Sequence, residues 1–222
     1  MNAARALTAE AVGTAFLLAV VVGSGIMAER LAGGNVALAL LANALATGAG
    51  LAALILTFGS VSGAHFNPVV TLSEAMDGRM GRWLAVAYVV AQIFGALAGV
   101  AAAHGMFGER VFAASIHMRS GWPQWGSEVV ATAGLLLVIR GVSRAQPSAT
   151  AFAVGLYITS AYWFTASTSF ANPAVTLARA FTPTFAGIRP VDAPGFIAAE
   201  LVGAIAATLF GRWLFGARSE LC

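Results

Sequence analysis

From Leu31 to Ser73, and again from Ala145 to Ala178, the chain carries no Asp, Glu, Lys or Arg. A helix needs about 20 mostly apolar residues to cross a bilayer, so each run is too long for one crossing. Each run also holds the same short text: "HFNPVVTL" from His65 to Leu72 and "FANPAVTL" from Phe170 to Leu177. Proline pushes the residue before it towards extended backbone and suits the first position of a helix. Asn-Pro at both places therefore predicts a loop that enters the apolar layer, then a short helix beginning at Pro68 and at Pro173. Irregular backbone at membrane depth is tolerated only where it is buried in protein or lines a watery cavity. Two such elements, one in each half of the chain, imply a cavity.

The chain is 59% hydrophobic and 9% charged, whereas soluble domains carry about 25% charged residues. So few charges cannot clothe a soluble surface, and most of the surface must face lipid. The net charge of +3 comes entirely from arginine on the basic side. It reads as arginines set beside a membrane, not as a nucleic-acid surface. Six spans are expected, at roughly 7–28, 36–60, 83–104, 126–143, 149–168 and 194–215. Arg5 and the apolar run after it have some features of a signal peptide. Glu10 interrupts that run, and the segment is read as a retained first span. Trp83, Trp122, Trp125 and Trp213 sit at span ends and read as interface anchors.

Three spans per half is an odd number, so the halves must run in opposite senses through the membrane, an inverted repeat. A second echo supports this. "AEAVGTAFLLAVV" from Ala9 and "SEVVATAGLLLVI" from Ser127 put Glu10 and Glu128 at matching points. The reading is one channel domain over 1–222, with repeats at about 1–105 and 124–222 and a linker at 106–123. Both termini are expected to be cytoplasmic. That orientation puts Arg5, Arg79, Arg82, Arg140, Arg144, Arg212 and Arg218 inside, and Arg30, Arg110, Arg119, Arg179 and Arg189 outside. The bias has the sign of the positive-inside rule. The expected location is a cell membrane, that of a bacterial inner membrane.

Two half-helices meeting end to end would focus their positive N-termini at the midplane, which disfavours cations, protons included. Asn67 and Asn172 cap those ends, and their amides can still donate to a passing oxygen. The preceding loops can offer a ladder of backbone carbonyls, from Gly63, Ala64 and His65 and from Thr168, Ser169 and Phe170. That is a filter for uncharged polar solutes. Other chemistries find little support. Cys222 is the only cysteine, and His65, His104 and His117 lack ligand spacing, so no metal site or cofactor is expected. No nucleophile–base pair points to an enzyme.

The duplicated motifs, "SGAHFNP", Gln92 in the third span and Glu in spans one and four resemble the major intrinsic proteins, the aquaporin and aquaglyceroporin family. The resemblance covers essentially the whole chain. It implies an all-α membrane fold of six spans plus two re-entrant half-helices, and a homotetramer with one pore per subunit. It also implies that Glu10 and Glu128 hydrogen-bond the re-entrant loops. The motifs themselves are Asn67-Pro68-Val69 and Asn172-Pro173-Ala174, the first with Val where the family usually has Ala. That Val should add volume beside the midplane.

A second departure matters more. The family usually places Arg directly after its second motif, and here that position is Val175. Carried over by spacing, the other filter positions are Thr47, Ser160 and Ser169. None is aromatic or charged, which predicts a wide filter without a local positive charge; Tyr157, Tyr162 and Trp163 stand close to Ser160 in sequence, and intrusion of one of them to narrow the pore is the alternative. Arg179, one turn beyond Val175, reads as a membrane-surface arginine or a partner of Asp192. A displaced charge in the vestibule is the alternative. The Val substitution resembles a bacterial subgroup associated with arsenic resistance. Val175-Thr176 argues against the glycerol-facilitator subgroup, whose motif continues Arg-Asp, and the short linker lacks that subgroup's insertions. The expected partners are lipid and small neutral solutes: water, glycerol, urea and metalloid acids such as arsenous acid. Two competing readings are a strictly water-selective aquaporin and an ion-coupled secondary transporter. The transporter would draw on the membrane-embedded acids Glu10, Glu128 and Glu200.

Overall fold

A computed structural model describes residues 2–216. Arg218 and Cys222, used above for orientation and as the lone thiol, lie outside the described residues. Every regular element among the described residues is helical. In chain order they are α1 (Ala3–Leu31), α2 (Val36–Ser62), α3 (Pro68–Met76), α4 (Arg82–Phe107), α5 (Trp122–Ala145), α6 (Thr150–Phe164), α7 (Pro173–Arg179) and α8 (Ala193–Phe215), with a 3-10 turn at Pro147–Ala149 before α6. Five of them, α1, α2, α4, α5 and α8, are long and apolar enough to cross a membrane.

The fifth expected span, at 149–168, is shorter than the sequence suggested. α6 has 15 residues, about 22 Å at 1.5 Å per residue. It stops at Phe164 because Thr165 turns to extended backbone, and the chain leaves for the second re-entrant loop. The apolar count that extended this span to 168 ran on into that loop.

α3 and α7 are the two half-helices, with Pro68 and Pro173 at their first positions. Each is capped by its asparagine in extended conformation. Asn67 Oδ1 accepts from the Val69 N–H at 3.0 Å, and Asn172 Oδ1 accepts from Ala174 at 3.0 Å and Val175 at 3.3 Å. Both are too short to persist alone, and they stand because the long helices enclose them. α4, α5 and α8 pack on α3, and α1, α4 and α8 pack on α7.

The halves pack alike: α1 lies on α2 and α4, as α5 lies on α6 and α8. Small residues permit the closest approaches. A methyl on Gly95 would overlap the Ala11 carbonyl oxygen, and one on Gly203 would lie 2.6 Å from the Val129 carbonyl oxygen. Ala11 follows Glu10 and Val129 follows Glu128. The two glycines therefore let α4 and α8 press against the turns that carry the buried acids.

Candidate functional site

The two re-entrant loops are built on one backbone pattern. Gly63, Ala64 and Phe66 have φ of 83°, 49° and 49°; Thr168, Ser169 and Ala171 have φ of 64°, 50° and 49°. These positions stand at the same offsets before Asn67 and Asn172. Left-handed backbone is costly for residues other than glycine, and persists only where the surroundings impose it. Here buried carboxylates impose it. Glu10 Oε1 accepts from the Ser62 hydroxyl at 2.7 Å and the His65 N–H at 2.9 Å; its Oε2 accepts from the Phe66 N–H at 2.7 Å and Gln92 Nε2 at 2.8 Å. Glu128 accepts from the Phe170 N–H at 2.9 Å and the Ala171 N–H at 2.7 Å. Both glutamates are fully buried. They gather the loop N–H groups and so leave the loop carbonyls to face elsewhere.

The loops also hold each other. Asn67 Nδ2 donates to the Ala171 carbonyl at 2.7 Å, and Asn172 Nδ2 donates to the Phe66 carbonyl at 2.8 Å. A carboxamide has two N–H donors, so one per asparagine is left over for a solute.

A cavity of about 800 Å³ passes these groups. One end lies among Glu74, Asp77, Arg79, Arg140, Arg144, Arg212 and Gly216, beside the end of α8. It runs past Asn67 and Asn172, along Leu17, Val21, Leu51, Val154 and Ile158, to Thr47, Tyr162, Ser169, Val175 and Arg179. Gly63, Ala64, His65, Ser169 and Phe170 of the expected carbonyl ladder lie on its wall, and Thr168 does not. Val69 is also off the wall. It is buried in a cluster with Leu136, Ala204 and Ala207, so its extra volume goes into helix packing.

Of the four filter positions taken from spacing, Thr47, Ser169 and Val175 come together on the wall and Ser160 does not. Ser160 is exposed, and its hydroxyl donates to the Tyr157 carbonyl at 2.7 Å. The reason is helical rotation. α6 turns Val154, Ile158 and Tyr162 inward, four residues apart, and Ser160 lies on the opposite face. Tyr162 takes the place assigned to Ser160, with its hydroxyl donating to Thr47 Oγ1 at 3.3 Å. The filter region therefore does contain an aromatic ring. Trp163 points outward, and Tyr157 donates to the Ala131 carbonyl at 3.0 Å, on α5.

Arg179 is neither a surface arginine nor a partner of Asp192. Asp192 is taken by Arg189, at 2.8 and 3.0 Å, and by the Arg119 N–H at 2.9 Å. The hydrogen bond from Arg189 is the main reason the Asp192 carboxyl sits below its ordinary pKa. Arg179 is buried on the cavity wall. Its Nε donates to the Ala186 carbonyl, and its guanidinium carbon lies 3.4 Å from the centre of the Phe170 ring. A positive charge thus stands one turn beyond Val175, so this stretch of the wall, expected to lack charge, carries a guanidinium.

The roles of two further residues were not read from the sequence. Arg119, in the linker, donates to the carbonyls of Gly187 at 2.8 Å and Ser167 at 3.2 Å, and faces the Phe170 ring at 5.2 Å. Burial pulls its pKa down, against the influence of Tyr162 and Glu128. Glu200 is fully buried, and its Oε1 accepts from the Asn172 N–H at 3.1 Å and the Thr176 hydroxyl at 2.6 Å. Its counterpart in the first half is Gln92, which donates to the Thr71 hydroxyl at 3.0 Å. A signal existed: "AQIFGA" from Ala91 and "AELVGA" from Ala199 are the same phrase.

Glu200→Gln is therefore expected to be nearly neutral. Oε1 carries both bonds, Oε2 has no partner, and glutamine already serves in the other half. Thermal stability in detergent should move by no more than about 0.5 kcal/mol.

Residues 1–147 match the family of major intrinsic proteins. Over 210 residues the chain is 55% identical to AqpS, an aquaglyceroporin of Rhizobium meliloti (strain 1021), an alignment covering 95% of this chain and 90% of that one. The chain belongs to the major intrinsic protein family. Aquaporin A of Dictyostelium discoideum is 39% identical over 105 residues, 47% of this chain and 37% of that one. The X-ray structure of the aquaglyceroporin from Plasmodium falciparum superposes with a TM-score of 0.73, over 97% of this chain and 98% of that one. At 19% identity that likeness speaks to the fold alone. As a major intrinsic protein the chain is a multi-pass membrane channel for water and small solutes, not an enzyme.

Proposed function

We propose that the cavity conducts small uncharged polar solutes larger than water, glycerol and undissociated arsenous acid among them, together with water. The observation that carries this is the wall near the filter. Val175, 5% exposed, stands where the family's filter arginine would, with the small side chains of Thr47 and Ser169 beside it. The hydroxyls of Thr47, Tyr162 and Ser169 give a polyol partners on one side, and Leu17, Val21, Leu51 and Ile158 give its carbon chain an apolar wall on the other. The similarity to AqpS, an aquaglyceroporin by name, supports the same reading.

Cations are refused by two features. The half-helix N-termini meet at Asn67 and Asn172, and the Arg179 guanidinium stands further along the wall. Transport is passive. Glu10 accepts four hydrogen bonds and Glu128 accepts two loop N–H groups, so both acids are engaged in holding the loops, and Glu200 uses one of its oxygens in the same way. The protein works as a homotetramer in a bacterial inner membrane, with two inverted repeats and both termini cytoplasmic. The test is glycerol uptake into proteoliposomes. Uptake should rise linearly with the gradient and be unchanged when a proton gradient is collapsed. Saturation together with dependence on the proton gradient would replace the channel with a transporter.

A further inference from the structure

The end of α7 sets a guanidinium into the cavity wall with no carboxylate at ion-pair distance among the described residues. Arg179 is 2% exposed. Its guanidinium donates from Nε to the Ala186 carbonyl and lies over the Phe170 ring, with Arg119, Tyr162, Glu128 and Glu200 near enough to act on its charge. Among the described residues, ion pairs form at Glu74, Asp77, Glu109 and Asp192, none of them with Arg179. The buried acids of this half hydrogen-bond other donors: Glu128 with Phe170 and Ala171, Glu200 through Oε1 with Asn172 and Thr176.

Hydroxyl groups meet the same stretch of cavity. Tyr162 and Thr47 are paired at 3.3 Å. The Ser169 hydroxyl belongs to a residue 3% exposed, lies on the cavity wall, and has no hydrogen-bond partner. A buried cation and a buried unpartnered hydroxyl are both costly, and both are relieved by an acceptor oxygen carrying negative charge. Such a group must be small, because it has to share the space beside Val175.

We propose that Arg179 and Ser169, with Tyr162 and Thr47 beside them, bind a small monovalent oxyanion, and that its occupancy blocks the passage of neutral solutes. Nitrate and formate have the required chemistry: one charge, and planar oxygens able to accept from a guanidinium and a hydroxyl together. Block rather than passage follows from the wall beyond the site. The stretch between this site and the Asn67 and Asn172 amides is lined by Leu17, Val21, Leu51 and Ile158, which give an anion no partner on the way, and conduction needs a next site within reach. The proposal rests on the cavity being the solute path.

The experiment is glycerol flux into proteoliposomes in sodium nitrate against sodium chloride at equal ionic strength, with calorimetric titration of nitrate into the detergent-solubilised protein alongside. For a Kd on the order of 1 mM, nitrate at about ten times that level should lower glycerol flux roughly tenfold. Chloride, which lacks the paired oxygens, should leave it unchanged. Arg179→Gln should abolish the nitrate effect on whatever flux remains. Arg110→Gln, which removes a charge from an exposed linker position, should keep it. Should Arg179→Gln fail to fold, Ser169→Ala should raise the nitrate concentration for half-block severalfold. Equal block by chloride, or nitrate-insensitive flux with no heat of binding, overturns the proposal. Absence of glycerol flux in every salt would instead remove the solute path, while nitrate heat abolished by Arg179→Gln would still uphold the anion site.

Discussion

Replacing Glu10 with glutamine should cost the protein its folded loop, although the side chain keeps its size. Glu10 accepts four hydrogen bonds through two oxygens, from Ser62, His65, Phe66 and Gln92. Glutamine keeps one oxygen and presents an NH2 group to the other pair of donors. The Ser62 hydroxyl or the Gln92 carboxamide can turn to accept from that NH2, but a backbone N–H, of His65 or of Phe66, cannot, and its loss of an acceptor costs about 1–3 kcal/mol. Those two N–H groups fix the left-handed residues Ala64 and Phe66, so the strain of the loop is released as well. Against a total stability of about 5–15 kcal/mol, the variant should lose most of its monodisperse, ligand-free population in detergent. Size-exclusion chromatography on heating measures this. The contrast with Glu200→Gln is the sharper test: one chemical change at two buried acids, ruinous at Glu10 and nearly silent at Glu200. Equal stability of the two variants would mean that the Glu10 hydrogen bonds do not hold the loop.

Val175→Arg should close the pore to solutes larger than water. Val175 packs against Leu17, Val21 and Leu51 at the cavity wall, and a guanidinium there must extend into the space shared by Thr47, Tyr162 and Ser169. It would also stand one turn from Arg179 on the same short helix, where like charges repel. The two guanidinium groups cannot both lie back against the wall, and one must cross the lumen. Glycerol flux should fall at least tenfold, which corresponds to about 1.4 kcal/mol of added barrier. Water flux should fall much less. Equal loss of both would mean that the substitution damages the fold instead of narrowing the filter.

The sequence carried the architecture well because its signals were local. Charge-free runs of known length, two Asn-Pro motifs inside them, and glutamates at matching points are all properties of neighbouring residues. They led to the half-helices at Pro68 and Pro173 and to the acids behind the loops. The filter was harder to read, because it is made where four elements meet. Counting back from Asn172 gave Ser160, whereas the rotation of a short α6 and the length of the loop after it bring Tyr162 inward. Arg179 looked like a surface residue because nothing in its neighbours reveals that residues 180–192 fold back over it, with Ala186 accepting from its Nε. Arg119 was illegible for the same reason. It acts on Ser167 and Gly187, remote in sequence. Glu200 was read as an embedded acid, and its role behind the second motif was legible and overlooked, since the phrase around Gln92 recurs around it.

The most direct measurement is the light-scattering trace of proteoliposomes mixed with a glycerol gradient. Vesicles holding the protein should shrink as water leaves and then reswell as glycerol enters, with the reswelling phase far faster than in protein-free vesicles. Rapid shrinkage with reswelling no faster than in bare lipid would mean that only water passes, and that Tyr162 and Arg179 close the space that Val175 opens.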